Sequence, residues 1–441
     1  MLTQKTSVIL SLSVVGGIVA ATSAQAGGFA LREQSSYYQG MSFAGYGTTG
    51  PSISSMFWNP ATITGAGEGF TFETHNTLIV PNAEITGTFT SPGVPLPPFA
   101  IVLPNSSVPS GDIGNDAFIP ASYTAYKVND QVFFGLAINA PFGLATKPGQ
   151  NWAGQFYSRS SKVQSINVNP IIGYKINDML SVAFGVQFQH FAVSLKTGVP
   201  NVPGFPSGIL EGDDIGFGVT AGVTYKPFEG TEIGLGYRSG VAHTLGGSRQ
   251  TPAGTTAIEA NLITPDMVNL SVKQRVTDAF RVFGTAEWTN WSRLKSPRVT
   301  NQATGATIQS LHFNYNDGWY FALGGEYDVT EDLTMRAGIG YELSPIDDAI
   351  RTTRLPDSNR LWLSAGASYR FSEDLSFDLG YTYIHGEKAN INIGPGHQDY
   401  DPAVGTYIGT ANANVNIVSA SMRYRWGGPK HRGEVDPVRG Y

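Results

Sequence analysis

The chain has 441 residues; 14% are charged, 12% are aromatic, 53 are glycine, none is cysteine, and the net charge is −6. Soluble chains average about 25% charged residues, and the acidic balance supplies no basic field for nucleic acid. Mean hydropathy is −0.10, and no apolar run of about 20 residues follows the N-terminus, which excludes a bundle of membrane helices. A chain rich in glycine and aromatics yet poor in charge has the composition of an outer-membrane β-barrel.

Residues 1–26 read as a secretory signal peptide. Lys5 gives the basic start, Val8 to Ala21 the apolar stretch, and Ala24-Gln25-Ala26 the small-x-small cleavage pattern. The stretch is short for a membrane span, and the lack of cysteine suits export. Residues 27–66 are small, polar and glycine-rich, without sustained alternation. They either hang below a barrel or fold into its lumen as a hatch. Gly45-Tyr46-Gly47-Thr48-Thr49-Gly50 matches a dinucleotide fingerprint by letter, but no strand precedes it and no dinucleotide awaits an exported chain.

The barrel is read over residues 67–426. Six short turns punctuate it: Val128-Asn129-Asp130, Ile176-Asn177-Asp178, Pro227-Phe228-Glu229-Gly230, Val276-Thr277-Asp278, Thr330-Glu331-Asp332 and Ser372-Glu373-Asp374. Asp and Asn favour tight turns by bonding nearby backbone. Each turn joins two strands. One strand before them (about 67–84) and one after (about 414–426) make fourteen, an even number that closes a barrel.

Along 361–371, Leu361, Leu363, Ala365, Ala367, Tyr369 and Phe371 share one face, opposite Trp362, Ser364, Gly366, Ser368 and Arg370. A soluble sandwich alternates too. The aromatics decide, because Tyr174, Tyr225, Tyr327, Tyr369 with Phe371, and Tyr424 with Trp426 end the apolar face beside the short turns. Such a girdle belongs at a membrane interface. The remaining connections, 86–115, 143–160, 198–213, 246–258, 293–310, 342–356 and 386–411, are long and rich in Gly, Pro, Ser and Asn. Short turns then face the periplasm and long loops the exterior. Residues 427–441 read as a charged periplasmic tail. The fold class is all-β: a 14-stranded antiparallel transmembrane barrel with an N-terminal hatch in its lumen.

Charged residues on inward faces are the main functional material. They are Arg238, Lys273, Arg336, Arg360 and Arg370, with Arg423 and Arg425 beside them and Glu232, Glu287, Glu326 and Asp378 as available partners. Such charges either staple a hatch or touch substrate; Arg336 and Arg370 are expected to order the hatch. His190 and His385 are the strand-borne imidazoles worth testing for hydrolase chemistry, and neither has a Ser or Asp partner nearby in sequence. No two His stand at metal-ligand spacing, and Glu211-Gly212-Asp213-Asp214 reads as a solvated charge run. No enzyme, metal or cofactor is expected.

The segment Gly28-Phe29-Ala30-Leu31-Arg32-Glu33-Gln34-Ser35, with Ala44-Gly45 and Asn59-Pro60-Ala61 after it, resembles the outer-membrane long-chain fatty acid transporter family (FadL/TodX type). Similar too are Pro141-Phe142-Gly143-Leu144-Ala145-Thr146, Trp288-Thr289-Asn290-Trp291-Ser292 and Pro356-Asp357-Ser358-Asn359-Arg360-Leu361-Trp362, in family order along nearly the whole mature chain. The resemblance implies a fourteen-stranded barrel with a hatch, and passive uptake of hydrophobic molecules through a lateral opening in the wall. Carried over, it points to Phe29, Leu31, Asn59, Pro60 and Ala61 as hatch and ligand residues, with the Asn-Pro-Ala near that opening. The opening itself falls at a kink over Pro141, Phe142 and Gly143, with Ala140 before it and Ala117 on the neighbouring strand, both small where a gap needs space. Independently, Pro lacks the ladder N–H and Gly weakens a strand; ordinary loop entry would look the same.

Fatty-acid members of the family are expected to hold a lumen cation just before the tenth strand, where this chain reads Ser310-Leu311-His312-Phe313. Lys196 points outward by parity. That departure leans toward neutral substrates such as aromatic hydrocarbons, or toward wide specificity. The apolar, proline-rich run from Val94 to Pro104 is either an entry catch or a stiff loop. Expected partners are hydrophobic small molecules (fatty acids or hydrocarbons) and outer-membrane lipid. A monomer is expected, because a closed barrel satisfies its own edges. The competing reading is a structural or adhesin-like barrel whose plug stays shut.

Overall fold

The computed structural model describes residues 27–427; the signal peptide and all of the tail beyond Gly427 lie outside the described residues. One closed antiparallel sheet of fourteen wall strands surrounds residues 27–66. The strands are β1 Phe70–Thr90, β2 Ala117–Lys127, β3 Val132–Asn139 with Gly143–Thr146, β4 Ser160–Lys175, β5 Leu180–Gly198, β6 Ser207–Phe228 and β7 Thr231–Arg238 with Ala242–Thr251. They continue as β8 Gly254–Ile263 with Met267–Arg275, β9 Phe280–Thr289, β10 Gly318–Asp328, β11 Leu333–Leu343, β12 Arg360–Arg370, β13 Leu375–Gly386 and β14 Thr406–Trp426. Pairing of β1 with β14, from Phe70↔Trp426 to Thr90↔Thr406, closes the circle. Closure satisfies the backbone where no water reaches it.

Period two sorts the side chains as expected. Leu363, Leu379 and Val418 are exposed on the outer face, whereas Ser364, Thr382 and Ser419 are buried in the lumen. The aromatics beside the short turns, Tyr174 to Trp426, are also exposed outward. At the turns themselves, the capping atom is not the aspartate. Asn129 Oδ1 accepts from the Gln131 and Val132 amides (2.9 and 2.8 Å), and the Thr330 and Ser372 hydroxyls accept from Leu333 and Leu375 (3.0 and 3.1 Å). Asp130 and Asp178 instead reach Lys127 and Lys175 at 2.8 and 2.7 Å. Those exposed pairs add little stability.

Several expected loops are partly strand. Residues 86–90 end β1, 143–146 continue β3, 207–213 open β6 and 406–411 open β14, while 246–258 is a tight hairpin of β7 and β8 in which Thr251 pairs with Gly254. Strands projecting beyond the lipid need no apolar outer face, so Gly246 to Thr251 show no alternation to read. The run Glu211-Gly212-Asp213-Asp214 therefore lies on β6, where His190 contacts Asp213 at 3.1 Å. No group of three potential metal ligands forms among the described residues.

Inside, residues 27–66 carry three short helical turns, each started by a side chain suited to it. Ser35 Oγ accepts from the Tyr38 amide ahead of Ser36–Gln39, Ser52 precedes Ile53–Phe57, and Asn59 Oδ1 accepts from the Ala61 amide ahead of Pro60–Gly65. Pro60 sits at the first helical position, where its missing N–H costs nothing. Tyr37, Tyr38, Phe43, Tyr46, Phe57 and Trp58 are all buried, so the core of this barrel is its hatch. The hatch backbone lies directly on the wall. A Cβ on Gly234 would overlap the Gly47 carbonyl oxygen, and one on Gly236 the Trp58 carbonyl oxygen.

Candidate transport site

The ladder between β2 and β3 runs from Lys127↔Phe133 to Ser122↔Ile138 and stops. It touches again only at the isolated bridge Gly114↔Thr146. Between these points the edge of β2 over Ala117–Ala121 has no β3 partner. The hatch takes up the freed backbone of β3: the Leu31 amide donates to the Pro141 carbonyl (2.8 Å) and the Gly143 amide to the Phe29 carbonyl (2.9 Å). Gln34 Nε2 donates to the Ala140 carbonyl at 2.8 Å, and the Phe142 amide to Ser165 Oγ at 2.8 Å. Residues 29–34 thus act as a substitute strand inside the wall. Ala117 and Ala140 are both buried here.

Asn59, Pro60 and Ala61 lie elsewhere. Asn59 Nδ2 donates to the carbonyls of Gly47 (2.7 Å) and Val223 (3.0 Å), on the β6 side of the lumen. The resemblance placed them near the opening; Phe29–Gln34 occupy that place instead, because their extended backbone can bond a broken strand and a helical turn cannot.

Phe29 also centres an aromatic cluster above the kink. Its ring lies 4.6 Å from Trp291, 5.8 Å from Phe142 and 6.2 Å from Phe191, measured between centroids. Tyr315, Ile346 and Leu355 complete an apolar lining contributed by the long-loop end. Trp291 was legible only as a family motif, and the other loop residues carried no signal in isolation.

Charged groups bracket this cluster. Arg32 bonds Glu287 at 2.7 Å and Glu342 at 3.3 Å, and its guanidinium lies 3.7 Å from the Tyr320 ring centre. Arg360 pairs with Glu342 and Asp357. Burial pushes the Glu33 carboxyl up to about 7. Arg238 bonds Gln187 and the Phe57 carbonyl, and Lys273 bonds Glu232 and the Thr49 carbonyl. Arg336 Nε donates to Glu326 at 3.2 Å, its guanidinium covers the Tyr37 ring at 3.7 Å, and the Tyr37 hydroxyl donates to the same carboxylate. Arg370 differs from expectation. It lies at the mouth, bonding Asp332 at 3.0 Å and the Glu331 carbonyl at 2.6 Å, and reaches no hatch residue among its hydrogen bonds.

Arg336→Ala is therefore expected to loosen the hatch while Arg370→Ala leaves it intact. Removing one partner of a buried charge network costs about 3–5 kcal/mol. Protease digestion of residues 27–66 in folded protein checks this; equal protection in both variants would count against stapling by Arg336.

One cation is differently placed. Arg354 precedes Leu355 of the apolar lining in sequence, and its guanidinium donates to the Lys196 carbonyl at 3.4 Å with no carboxylate at ion-pair distance among the described residues. Burial pushes it down to about 10, which leaves it charged at neutral pH. His312, at the position expected to hold a cation, lies 3.3 Å from Asp399.

A fourteen-stranded barrel with an internal hatch and a broken wall ladder defines a class of outer-membrane channel. The chain belongs to the outer membrane protein transport protein family (OMPP1/FadL/TodX), whose profile matches residues 17–426. It is 29% identical to the long-chain fatty acid transport protein of Escherichia coli O6:H1, covering 90% of this chain and 96% of that protein. It is equally 29% identical to a 47 kDa outer membrane protein of Pasteurella multocida, covering 94% and 97%. In structure it resembles a Pseudomonas aeruginosa FadL homologue (TM-score 0.80, 23% identity, 90% of this chain and 99% of that one). The toluene transporter TbuX of Ralstonia pickettii shares the fold more distantly (TM-score 0.64, 18% identity, 89% and 100%). The protein is an outer-membrane barrel of this family.

Proposed function

We propose that this chain carries hydrophobic molecules passively across the outer membrane and releases them sideways between β2 and β3, without catalysis and as a monomer. The observation that carries the reading is the break in the wall. The free edge Ala117–Ala121 faces a β3 segment whose backbone is bonded to Phe29–Gln34, so moving that strap opens a gap toward lipid. A ligand that replaces Phe29 among Trp291, Phe142 and Phe191 draws the Phe29 carbonyl off Gly143.

Energetics favour the side exit. An alkyl chain gains about 0.8 kcal/mol per CH₂ on leaving water, and release into the periplasm would forfeit that. The short-turn end is also a charged floor, where Arg281, Glu326, Asp328, Arg336 and Arg370 line one pocket beside Pro51 of the hatch. An apolar solute crossing it would have to strip those groups of partners.

Relatives named for long-chain fatty acids and for toluene mark the two substrate classes in question. Arg354 favours the fatty acids, since a guanidinium with no carboxylate at ion-pair distance, on the residue before Leu355 of the apolar lining, suits a carboxylate head on an alkyl chain. The experiment is uptake of labelled palmitate and toluene by cells with wild type, Arg354→Met or no barrel. Wild type should exceed empty cells for palmitate, and Arg354→Met should lose most of that excess while sparing any toluene uptake. No excess for either compound would end the transport reading, in favour of a barrel whose plug stays shut.

A further inference from the structure

We propose that the α-ammonium group created by cutting the chain after Ala26 is a working part of the hatch: it is the third cation of a buried acidic pocket that fastens residues 27–34. The Gly27 nitrogen lies 3.0 Å from Glu342 Oε1, and the Gly28 nitrogen 3.1 Å from Asp357 Oδ2. Both glycines are buried. A Cβ on Gly27 would stand 2.7 Å from Glu342 Oε1, so a larger residue would have to push that carboxylate aside.

The charge count shows why an ammonium is wanted there. Three buried carboxylates, Glu287, Glu342 and Asp357, with the Glu33 carboxyl beside them, surround two buried guanidiniums, Arg32 and Arg360. The other donors to these carboxylates, the hydroxyls of Tyr46 and Ser344, are neutral. Glu33 Oε2 and Glu342 Oε2 have no hydrogen-bond partner. A peptide nitrogen brings one donor and no charge. An ammonium brings three donors and a positive charge, and charge-assisted bonds are roughly twice as strong as neutral ones.

The covalent step is ordinary peptide hydrolysis by a signal peptidase. Water adds across the Ala26–Gly27 amide, Ala26 departs with the leader as a carboxylate, and the amine left on Gly27 takes up a proton. Phe29 stands two residues further on, and its carbonyl bonds Gly143 at the kink. Leader removal and closure of the wall are thereby coupled, so the strap docks only on processed protein. This coupling does not depend on what the barrel transports.

The test uses full-length protein extracted from outer membranes. N-terminal sequencing should begin at Gly27, and any other first residue overturns the proposal. The α-amine is then labelled with 2-pyridinecarboxaldehyde at pH 7.5, folded and heat-unfolded. Folded wild type should react at least about tenfold more slowly than unfolded, as a group reached only by local opening does. Glu342→Gln, which keeps the shape and removes the charge, should recover most of that difference. Equal rates in folded and unfolded protein, or no change in Glu342→Gln, overturn the idea. Should that variant not assemble, Gly-Ser-Gln inserted between Ala26 and Gly27, which leaves no small residue directly before Gly27, moves the amine without touching the wall. Trypsin should then cut at Arg32 in barrels that retain heat-modifiable mobility, and an Arg32 as resistant as in wild type refutes the coupling.

Discussion

Ala140→Arg is expected to bring uptake of palmitate, and of toluene if wild type takes it up, to the level of empty cells at matched amounts of assembled barrel. Ala140 ends the regular part of the wall before Pro141, and its small side chain is packed in the same cluster as Leu31 of the strap and Ala117 of β2. An arginine there sets a guanidinium across the free edge of β2. An apolar solute passing it would have to desolvate that charge at several kcal/mol, and 1.4 kcal/mol is already tenfold in rate. Ala140→Val adds bulk without charge and should keep a measurable share of the uptake. A pore emptying into the periplasm would be indifferent to both changes. Uptake of palmitate by Ala140→Arg equal to that of wild type would remove lateral exit at this position.

The wall was legible in the sequence because lipid imposes a rule on it. Between two interfaces each strand must be apolar every second residue, and 361–371 obeys that rule residue by residue. Where the rule lapses, legibility lapses too. Gly246 to Thr251 form strand that projects past the lipid, and nothing in their composition separates them from loop. The hatch shows the same limit from the inside. Length and polarity left it either below the barrel or inside it, and the family resemblance implied the lumen; many of its contacts are made by backbone atoms, such as the Leu31 amide on the Pro141 carbonyl. Backbone contacts leave no residue-type signature beyond glycine. Parity identified Arg336 and Arg370 as inward alike, yet height along the barrel decides their partners, and parity carries no height. Arg354 escaped for a related reason: it lies in a long loop, where neither period nor turn chemistry fixes which way a side chain turns.

Gly234→Ala should open the lumen to ions while leaving the barrel assembled. The added methyl would occupy the place of the Gly47 carbonyl oxygen. That oxygen accepts from Asn59 Nδ2 at 2.7 Å, and Asn59 in turn caps Pro60–Gly65. The collision is between two backbones, one held in the wall by its ladder to β6 and β8, so no rotamer change relieves it. Overpacking of this kind costs about 1–3 kcal/mol. The wall keeps its own hydrogen bonds, and the strain therefore falls on the hatch. Residues 45–65 would shift off the wall, carrying the Thr49 carbonyl away from Lys273 and its amide away from Glu232. Gly284→Ala serves as control, since a Cβ there meets only Leu323 and the Ala322 carbonyl oxygen, at an ordinary 3.6 and 3.9 Å. Single-channel conductance in planar bilayers and protease digestion of the hatch read the outcome together. Gly234→Ala should conduct steadily and expose the hatch, and Gly284→Ala should do neither. If Gly234→Ala stays as tight and as protected as wild type, the hatch is held by its ion pairs alone, and the Arg336→Ala result becomes the measure of how firmly.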